Sequence, residues 1–415
     1  MVKRRLLRVA LNRMAEEPVV LLQGPRTVGK SRLLAELAVA TGGEVVDLDD
    51  PAVRDAVAAD PSLFIRRAGP VLVDEYQHVP EVLDAIKAEL NRDLRPGRFV
   101  LAGSTRYDAL PVASQSLTGR LHRLDVHPLS VGEVMGFEEH LLADLFEPFE
   151  ATTPRRTSST TRDAYLDLIA AGGLPLALAR PSLTSRNRWF DDYIRLAIER
   201  DVSEVATLRR GALMPRFLER LAAQTGQVLN LTAASAAAGF DRTTGETHLR
   251  LLEAVFLVWR LPAWGTTLRA RATSSPKIHV VDTGVAARLL RVTPDRFRGR
   301  DPAALTELGH LLETFVVGEM RKQASWMDGI AGLGHWRTSD GVEVDLVVER
   351  DDGAIVAFEV KSASRVREED LRGLARLRDA LGPRFVRGVA FHLGEHSYRA
   401  GERLEVLPLD RIWTP

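Results

Sequence analysis

The sequence contains no cysteine, which excludes disulfide bonds, thiolate metal sites and cysteine nucleophiles. It has no net charge either, because 56 lysine and arginine residues balance 56 aspartate and glutamate residues. A basic surface over the whole protein is therefore excluded, and any nucleic-acid site has to be a local patch. No apolar run approaches the ~20 residues that cross a bilayer, and no apolar signal-peptide core follows the basic start Lys3-Arg4-Arg5. We therefore expect a cytoplasmic protein without a membrane partner.

The strongest motif that is present follows an apolar strand predicted at Val19–Leu22, where GPRTVGKS fits the pattern G-x-x-x-x-G-K-[ST]. Its glycines let main-chain N–H groups wrap phosphates, and the amphipathic helix that follows adds a positive dipole. Lys30 is expected to reach the β- and γ-phosphates of ATP, and the Ser31 hydroxyl to bind Mg²⁺. The predicted nucleotide-binding residues are Gly24, Pro25, Arg26, Thr27, Val28, Gly29, Lys30, Ser31 and Arg32.

A second acidic motif ends another apolar strand, predicted at Val71–Val73. Asp74 at the carboxyl end of such a strand can hold Mg²⁺, and Glu75 can polarise the attacking water. The alternative is an acidic pair on the surface after a core strand. The Asp-Glu order is typical of ATP-hydrolysing P-loop proteins of the additional-strand type, which places an extra strand in a parallel sheet.

Two further residues are candidates for the same reaction. Ser104 follows a strand predicted at Phe99–Ala102 and is expected to sense the γ-phosphate or its water, unless it only forms a turn. Arg120 precedes a strand predicted at Leu121–Val126. It is either a surface charge or an arginine that stabilises the transition state on a neighbouring subunit's nucleotide, which predicts a homo-oligomer.

The segment from Leu231 to Leu261 predicts helix–turn–helix–wing, with a short helix capped by Thr232 and a second helix after Gly239. Four polar residues are expected on the exposed start of the second helix: Arg242, Thr243, Thr244 and His248. Such a unit binds DNA or binds only protein, and the few basic residues here leave both alternatives open.

The last part of the chain predicts a hairpin around an Asp-Asp-Gly turn. Strand alternation directs Glu359 and Lys361 to the same face, and Asp345 on the paired strand can lie beside them. Two carboxylates at that reach can bind Mg²⁺ or Mn²⁺, and a lysine can orient a hydroxide for attack on phosphate. The candidates for a basic approach to this site are Arg321, Lys322, Arg337, Arg365 and Arg367. The alternative for the hairpin is an exposed charge ladder.

With these residues identified, the chain resembles a bacterial and archaeal family of AAA-type ATPases whose C-terminal domain of unknown function is similar to PD-(D/E)xK nucleases. The resemblance covers nearly the full length through GPRTVGKS, VLVDE, LAGS, LTGRLHRLDVHPLS, GGLP, IHVVDTG, LLETFVVGEM and GVEVDLVVE…FEVKS. It implies a nuclease-type site at Glu313, Asp345, Glu359 and Lys361, with Glu313 completing the metal shell.

These observations predict an α/β protein in four parts: a P-loop (AAA-like, additional-strand) domain at 1–146, a linker or mobile loop at 147–162, a helical and winged-helix-like domain at 163–300, and an α/β/α nuclease-like domain at 301–415. The expected function is ATP binding and hydrolysis coupled to binding or metal-dependent cleavage of DNA or RNA. The alternative is a regulatory ATPase switch whose nuclease-like domain is silent and binds a partner protein or nucleic acid.

Overall fold

The computed structural model describes residues 2–109, 117–148, 157–202, 213–267, 275–299 and 302–414. Within these ranges, no helix has the length and apolar character needed to cross a membrane. The described chain is an α/β structure with a parallel N-terminal sheet, a mainly helical middle and a mixed C-terminal sheet, in agreement with the predicted fold class.

The N-terminal sheet has the strand order β2-β3-β4-β1-β5, and all neighbouring strands are parallel. The strands are β1 (Val19–Gln23), β2 (Glu44–Asp47), β3 (Val71–Asp74), β4 (Phe99–Gly103) and β5 (Leu121–Asp125). The helices are α1 (Leu6–Glu16), α2 (Lys30–Thr41), α3 (Pro51–Ala59), α4 (Pro61–Ile65), α5 (Val82–Leu90), α6 (Val131–Met135) and α7 (Leu141–Leu145). Strand β4 separates β1 from β3, which confirms the additional strand. Because β1, β3 and β4 are fully buried, their apolar runs fit a sheet covered on both faces.

The middle of the chain combines helices with one small antiparallel sheet. We call its part at 213–267 and 275–280 the winged-helix region, after the helix–turn–helix–wing predicted for it. Its helices are α8 (Arg162–Ala171), α9 (Pro175–Leu178), α10 (Leu183–Leu196), α11 (Met214–Ala222), α12 (Leu231–Ala238), α13 (Arg242–Ala254), α14 (Thr283–Leu289) and α15 (Pro294–Arg298). A π-helical turn, Ala197–Asp201, continues α10. The antiparallel strands β6 (Gln227–Val228), β7 (Val258–Leu261) and β8 (Lys277–Val280) form a sheet in the order β6-β8-β7. The cap of α12 is Asn230, whose side chain accepts from the Ala233 N–H, so the predicted cap at Thr232 is wrong.

The C-terminal sheet has six strands in the order β13-β14-β12-β11-β10-β9. These are β9 (Ile330–Arg337), β10 (Glu343–Arg350), β11 (Ile355–Val360), β12 (Phe385–His392), β13 (Tyr398–Gly401) and β14 (Leu404–Pro408), with helices α16 (Pro302–Ala324) and α17 (Arg372–Leu381). Strands β10 and β11 are antiparallel, as the hairpin prediction requires. Alternate residues of β11 enter two different cores, Val356 and Phe358 in one, Ile355 and Ala357 in the other. Helices therefore cover both faces of the sheet.

Part of the predicted linker at 147–162 lies outside the described residues, from 149 to 156. The part of this segment that follows residue 156 packs against the C-terminal part of the chain. The Ser158 N–H donates to the Glu395 carbonyl at 2.7 Å, and its hydroxyl donates to Asp410 at 2.5 Å. Thr161 then caps α8 through the Ala164 N–H.

The three parts of the chain meet just after β5. The Leu129 N–H donates to the Gly173 carbonyl at 2.8 Å, and the Gly173 N–H donates to the Asp282 carboxylate at 2.7 Å. The Val131 N–H donates to Glu319 of α16 at 3.1 Å. The segments HPLS, GGLP, VVDTG and LLETFVVGEM of the sequence are therefore contacts of one interdomain joint.

Candidate functional site

The loop between β1 and α2 has the backbone of a phosphate-binding turn. Thr27 and Gly29 have left-handed φ angles of 64° and 95°, which glycine adopts without strain. A Cβ at Gly24 would lie 2.2 Å from the Val126 carbonyl oxygen, so this position admits no side chain. Val28 is buried in the core, and only its main chain can face a ligand. The N–H groups at the start of α2 are therefore presented at the carboxyl edge of the sheet.

Lys30 is the buried cation of this loop. Its ammonium donates to the main-chain carbonyls of Gly24 and Pro25, both at 2.9 Å. Burial lowers the pKa of Lys30 to about 8, although the nearby carboxylates of Glu75 and Asp74 oppose this effect. The Lys30 ammonium is thus held at the phosphate-binding turn by two main-chain carbonyls.

Asp74 and Ser31 form the pair predicted to bind Mg²⁺. Burial raises the pKa of Asp74, and a hydrogen bond from the Ser31 side chain opposes the rise. Asp74 ends β3, and Ser31 is in the first turn of α2, so the two elements deliver their oxygens to one point. A hydroxyl beside a carboxylate fits the hard oxygen ligands of Mg²⁺ in nucleotide sites.

Glu75 lies next to these groups in a strained backbone conformation, with a φ of 49°. Its Oε2 accepts from the Ser104 hydroxyl at 3.2 Å and from the Gln77 amide. Burial tends to raise the pKa of Glu75, but the Lys30 ammonium and the bonds from Gln77 and Ser104 outweigh it, so the pKa is lowered. The carboxylate is therefore ionised and able to accept a proton from water.

The structure brings Ser104 to Glu75 and adds Gln77, which the sequence reasoning missed. Gln77 donates to both, at 3.2 Å in the case of the Ser104 hydroxyl. An amide two residues after the predicted base was the available signal. Gln77 could have been found from the sequence, because a buried carboxylate such as Glu75 needs hydrogen-bond donors nearby.

Arg106 joins this segment to the winged-helix region. Its side-chain Nε donates to the Glu253 carbonyl at 2.9 Å, and its main-chain N–H donates to the Ala254 carbonyl at 2.9 Å. Its guanidinium also lies 5.2 Å from the ring centroid of Phe256. A single residue, Thr105, therefore separates a contact with Glu75 from a contact with the end of α13.

Two other arginines differ in their relation to the loop. Arg26 pairs with Asp201 of the π-helical turn, Nε to Oδ1, at 2.5 Å. Arg32 pairs with Glu36 along the exposed side of α2. The middle region therefore contacts the loop directly through Arg26.

Arg120 lies at the opposite edge of the sheet. It precedes Leu121, which pairs with Val19 at the amino end of β1, whereas the loop follows the carboxyl end. Its Nη1 donates to Asn91 at 2.7 Å. The structure therefore does not bring Arg120 to the loop of its own chain.

Comparison with known proteins agrees with this geometry for the first part of the chain. Residues 16–135 match a family described as AAA domain. This region is therefore similar to AAA domains, and its parallel sheet and phosphate-binding loop support nucleotide binding. Residues 162–296 and 308–412 match two families, each described as a domain of unknown function (DUF8612 and DUF4143).

Relatives along the whole length include uncharacterized proteins of Mycobacterium bovis and Mycobacterium tuberculosis. Each is 29% identical over 419 residues, which covers 98% of this chain and 83% of the relative. Among solved structures, a Walker-type ATPase of Pyrococcus abyssi has 15% identity and a TM-score of 0.42 over 70% of this chain and 96% of its own. A RuvB variant of Thermotoga maritima has 21% identity and a TM-score of 0.29, over 63% and 89%.

Beyond the ATPase domain, the structure brings the predicted C-terminal residues together. Lys361 Nζ donates to Glu359 Oε1 at 2.7 Å, and the Val360 N–H donates to Asp345 Oδ2 at 3.0 Å. Burial and the neighbouring Asp345 raise the pKa of Glu359 to about 8. Glu313 of α16 is buried at the same place.

A residue that the sequence reasoning missed lies among them. Lys277 of β8 donates to Glu313 at 2.7 Å and to Asp345 at 3.0 Å. Over the ranges that the structure describes, no three carboxylate or imidazole groups are arranged to hold a metal ion. A lysine in a fully buried strand was the signal, because such a charge needs acidic partners.

Three expectations for neighbouring residues are wrong. His248 is buried against Phe240, with ring centroids 4.5 Å apart, so it is not on the exposed start of α13. Arg321 and Lys322 do not form a basic approach to the C-terminal cluster. They contact Asp125 at 3.3 Å and the Leu129 carbonyl at 3.0 Å in the ATPase domain. Helix α16 turns these two residues toward the ATPase domain and Glu313 toward the cluster.

Proposed function

We propose that this protein is an ATP-hydrolysing switch whose nucleotide state is passed to the winged-helix region, which binds nucleic acid. The observation that carries the proposal is the segment Ser104–Arg106. It contacts the expected catalytic Glu75 at one end and the last residues of α13 at the other.

The proposed chemistry uses the ATPase site as follows. Main-chain N–H groups of the loop and the Lys30 ammonium bind the phosphates, and Ser31 and Asp74 hold Mg²⁺, which neutralises phosphate charge when bound. Glu75 is ionised, and it accepts a proton from the water that attacks the γ-phosphate. Ser104 and Gln77 orient the Glu75 carboxylate.

The proposed coupling follows from how short the connection is. Residues 104 and 106 are separated by at most ~7 Å of extended chain. When Glu75 turns toward a water molecule, its bonds to Ser104 and Gln77 have to change. Arg106 is fixed to α13 by two hydrogen bonds, so a shift of this segment acts on the helix.

The proposed output surface is the solvent side of α13. Arg242, Thr243, Thr247 and Arg250 are exposed there, and this helix is the one that a winged-helix protein places on DNA. Arg250 is paired with Glu246 at 3.2 Å, so the patch is only weakly basic. We therefore expect binding that is weak and strongly dependent on salt.

We propose the silent alternative for the C-terminal domain, in which it binds a partner and does not cleave. Lys277 weighs against metal-dependent cleavage, because it neutralises the carboxylates that a metal ion needs. Cleavage at Glu313, Asp345, Glu359 and Lys361, with Mg²⁺ or Mn²⁺, stays a prediction. We also propose that the protein forms a homo-oligomer, in which Arg120 acts on the nucleotide bound by a neighbouring subunit.

The test measures ATP turnover with and without short single- and double-stranded DNA and RNA. We expect wild type to hydrolyse ATP and to change its rate at least ~3-fold with one of these nucleic acids. Arg106→Ala removes the guanidinium contacts with Glu253 and Phe256 and keeps the main-chain bond to Ala254, so it should hydrolyse ATP with a weakened response. The matched control is Arg92→Ala, an exposed arginine of the same domain paired with Glu89, which should respond like wild type.

The two parts of the proposal fail separately. Wild type without ATP hydrolysis would contradict the ATPase assignment of the site. A full nucleic-acid response in Arg106→Ala would leave hydrolysis intact but remove the proposed route through Arg106.

A further inference from the structure

The C-terminal carboxylate cluster, which consists of Glu313, Glu343, Asp345 and Glu359, contains the buried ammonium group of Lys277. Lys277 is 1% exposed and lies at the start of β8, the wing strand of the middle region. Its neighbours in this strand, Ile278 and Val280, are also buried. The wing thus inserts one ammonium group into the centre of an acidic cluster that belongs to another part of the fold.

The contacts of this ammonium are close and come from three carboxylates on two elements. Lys277 Nζ lies 2.7 Å from Glu313 Oε1 on α16 and 3.0 Å from Asp345 Oδ1 on β10. It is 3.4 Å from Glu343 Oε1, also on β10. An ammonium has three donors, and these three carboxylates take up all of them.

The oxygens around Lys277 are the ones that would hold the metal ion implied by the nuclease resemblance. Both oxygens of Asp345 are engaged, Oδ1 by Lys277 and Oδ2 by the Val360 N–H. Glu313 Oε1 binds Lys277, and Glu359 Oε1 binds Lys361. A divalent ion on Asp345 would compete with these donors for the carboxylate oxygens and would be repelled by the adjacent ammonium. The residues in this arrangement do not fit a metal ion.

One oxygen of the cluster is not engaged. Glu359 Oε2 is buried and has no hydrogen-bond partner among the residues that the structure describes, although its side chain as a whole is 8% exposed. A buried acceptor without a donor is costly, and the cluster holds four carboxylates against two lysines. The cluster therefore has more acceptors than its own cations satisfy.

We infer that the Lys277 ammonium stands in the place of a divalent cation, clasps the wing strand to the C-terminal domain and closes the nuclease-like site to metal. The cluster is then a joint between the middle and C-terminal parts. Any event that withdraws β8 would expose Glu313, Asp345 and Glu359 without their cation. A site of this kind binds metal only after the wing has moved.

The test replaces the ammonium by an apolar chain of similar length, Lys277→Met, and uses Mn²⁺ as the probe. Titrations are done without nucleotide, so that the ATPase site does not contribute, and bound Mn²⁺ is followed by electron paramagnetic resonance and by thermal unfolding. We expect wild type and Asp345→Asn to give the same weak Mn²⁺ titration. We expect Lys277→Met to bind Mn²⁺ at least tenfold more tightly than wild type and to regain thermal stability with Mn²⁺.

Two controls make the result specific. Lys277→Met/Asp345→Asn should lose the gained Mn²⁺ site. Lys322→Met removes another lysine with an 11% exposed side chain, paired with Glu319 outside the cluster, and should gain no Mn²⁺ site.

Two results would overturn the inference. The first is a wild-type Mn²⁺ site that Asp345→Asn removes, since metal and ammonium would then coexist. The second is a folded Lys277→Met protein that gains no Mn²⁺ affinity. If Lys277→Met does not fold, the comparison of wild type with Asp345→Asn still decides, because equal titrations support closure and unequal ones refute it.

Discussion

The guanidinium of Arg26 and the carboxylate of Asp201 are 2.5 Å apart, Nε to Oδ1. The pair joins the phosphate-binding loop to a π-helical turn. Such turns are rare in proteins, and those that occur are often found at functional sites. Asp201 also acts on Lys30, because its charge raises the pKa that burial lowers. A negative charge of the middle region is therefore directed at the place where phosphates are expected.

Asp201→Asn is predicted to bind ATP more tightly. Removing this charge removes repulsion of the phosphates and leaves Arg26 less firmly held, so the Kd should fall roughly three- to tenfold, or about 0.7–1.4 kcal/mol. Titration with a fluorescent ATP analogue measures the change. Asp192→Asn, in an exposed pair with Arg195 on the same helix, is the control and should bind like wild type. Equal Kd values for the two variants would contradict this role of Asp201.

The ATPase site makes a separable prediction for binding and turnover. Lys30→Ala should lose tight ATP binding, because the buried ammonium at the loop is removed. Glu75→Gln should keep ATP affinity within about threefold and lose at least ~100-fold in kcat, since only proton acceptance is removed. Isothermal titration and steady-state phosphate release measure the two effects. Unchanged turnover in Glu75→Gln would refute its assignment as the base.

Arg120 is predicted to act between subunits, since it is at the far edge of the sheet from its own loop. Arg120→Ala should keep ATP affinity and lose at least ~10-fold in kcat. Mixing it with Glu75→Gln should restore part of the turnover, because each subunit supplies what the other lacks. Full activity of a monomer at low concentration, checked by analytical ultracentrifugation with ATP, would argue against a finger in trans.

His248 is predicted to stabilise the winged-helix region and not to contact nucleic acid. Its ring stacks on Phe240, and Nδ1 is 2.7 Å from the Thr244 carbonyl. His248→Ala should therefore lower the free energy of unfolding by about 1–3 kcal/mol. Thr247→Ala, one residue earlier and exposed, should stay within about 0.5 kcal/mol of wild type. Urea denaturation compares them, and equal stabilities would contradict the buried role.

The ATPase site was largely predictable from sequence, because its groups follow local patterns. A glycine-rich turn before Lys30 and an acidic pair after β3 each sit at a strand end, and the ends of parallel strands meet at one edge of the sheet. The hairpin of β10 and β11 was predictable for a similar reason, since its turn residues and strand alternation are local. These signals place Asp345 beside Glu359 without any knowledge of distant packing.

Contacts between distant elements were not predictable in the same way. Lys277 and Asp345 are 68 residues apart, and Arg26 and Asp201 are 175 apart. Nothing in the local pattern names the partner of either charge, because the partner depends on how whole domains pack. The prediction that His248 is exposed was wrong for a related reason. Its position on a polar helix start suggested exposure, but Phe240 from the preceding turn covers it.

The most direct test of the switch is amide hydrogen exchange of Arg242–Ala254 in Glu75→Gln, with and without saturating ATP. We predict that ATP changes the protection of this helix, and that Glu75→Gln/Arg106→Ala binds ATP equally well but shows a smaller change. Protection of the helix that is the same with and without ATP, in protein that demonstrably binds ATP, would contradict the account.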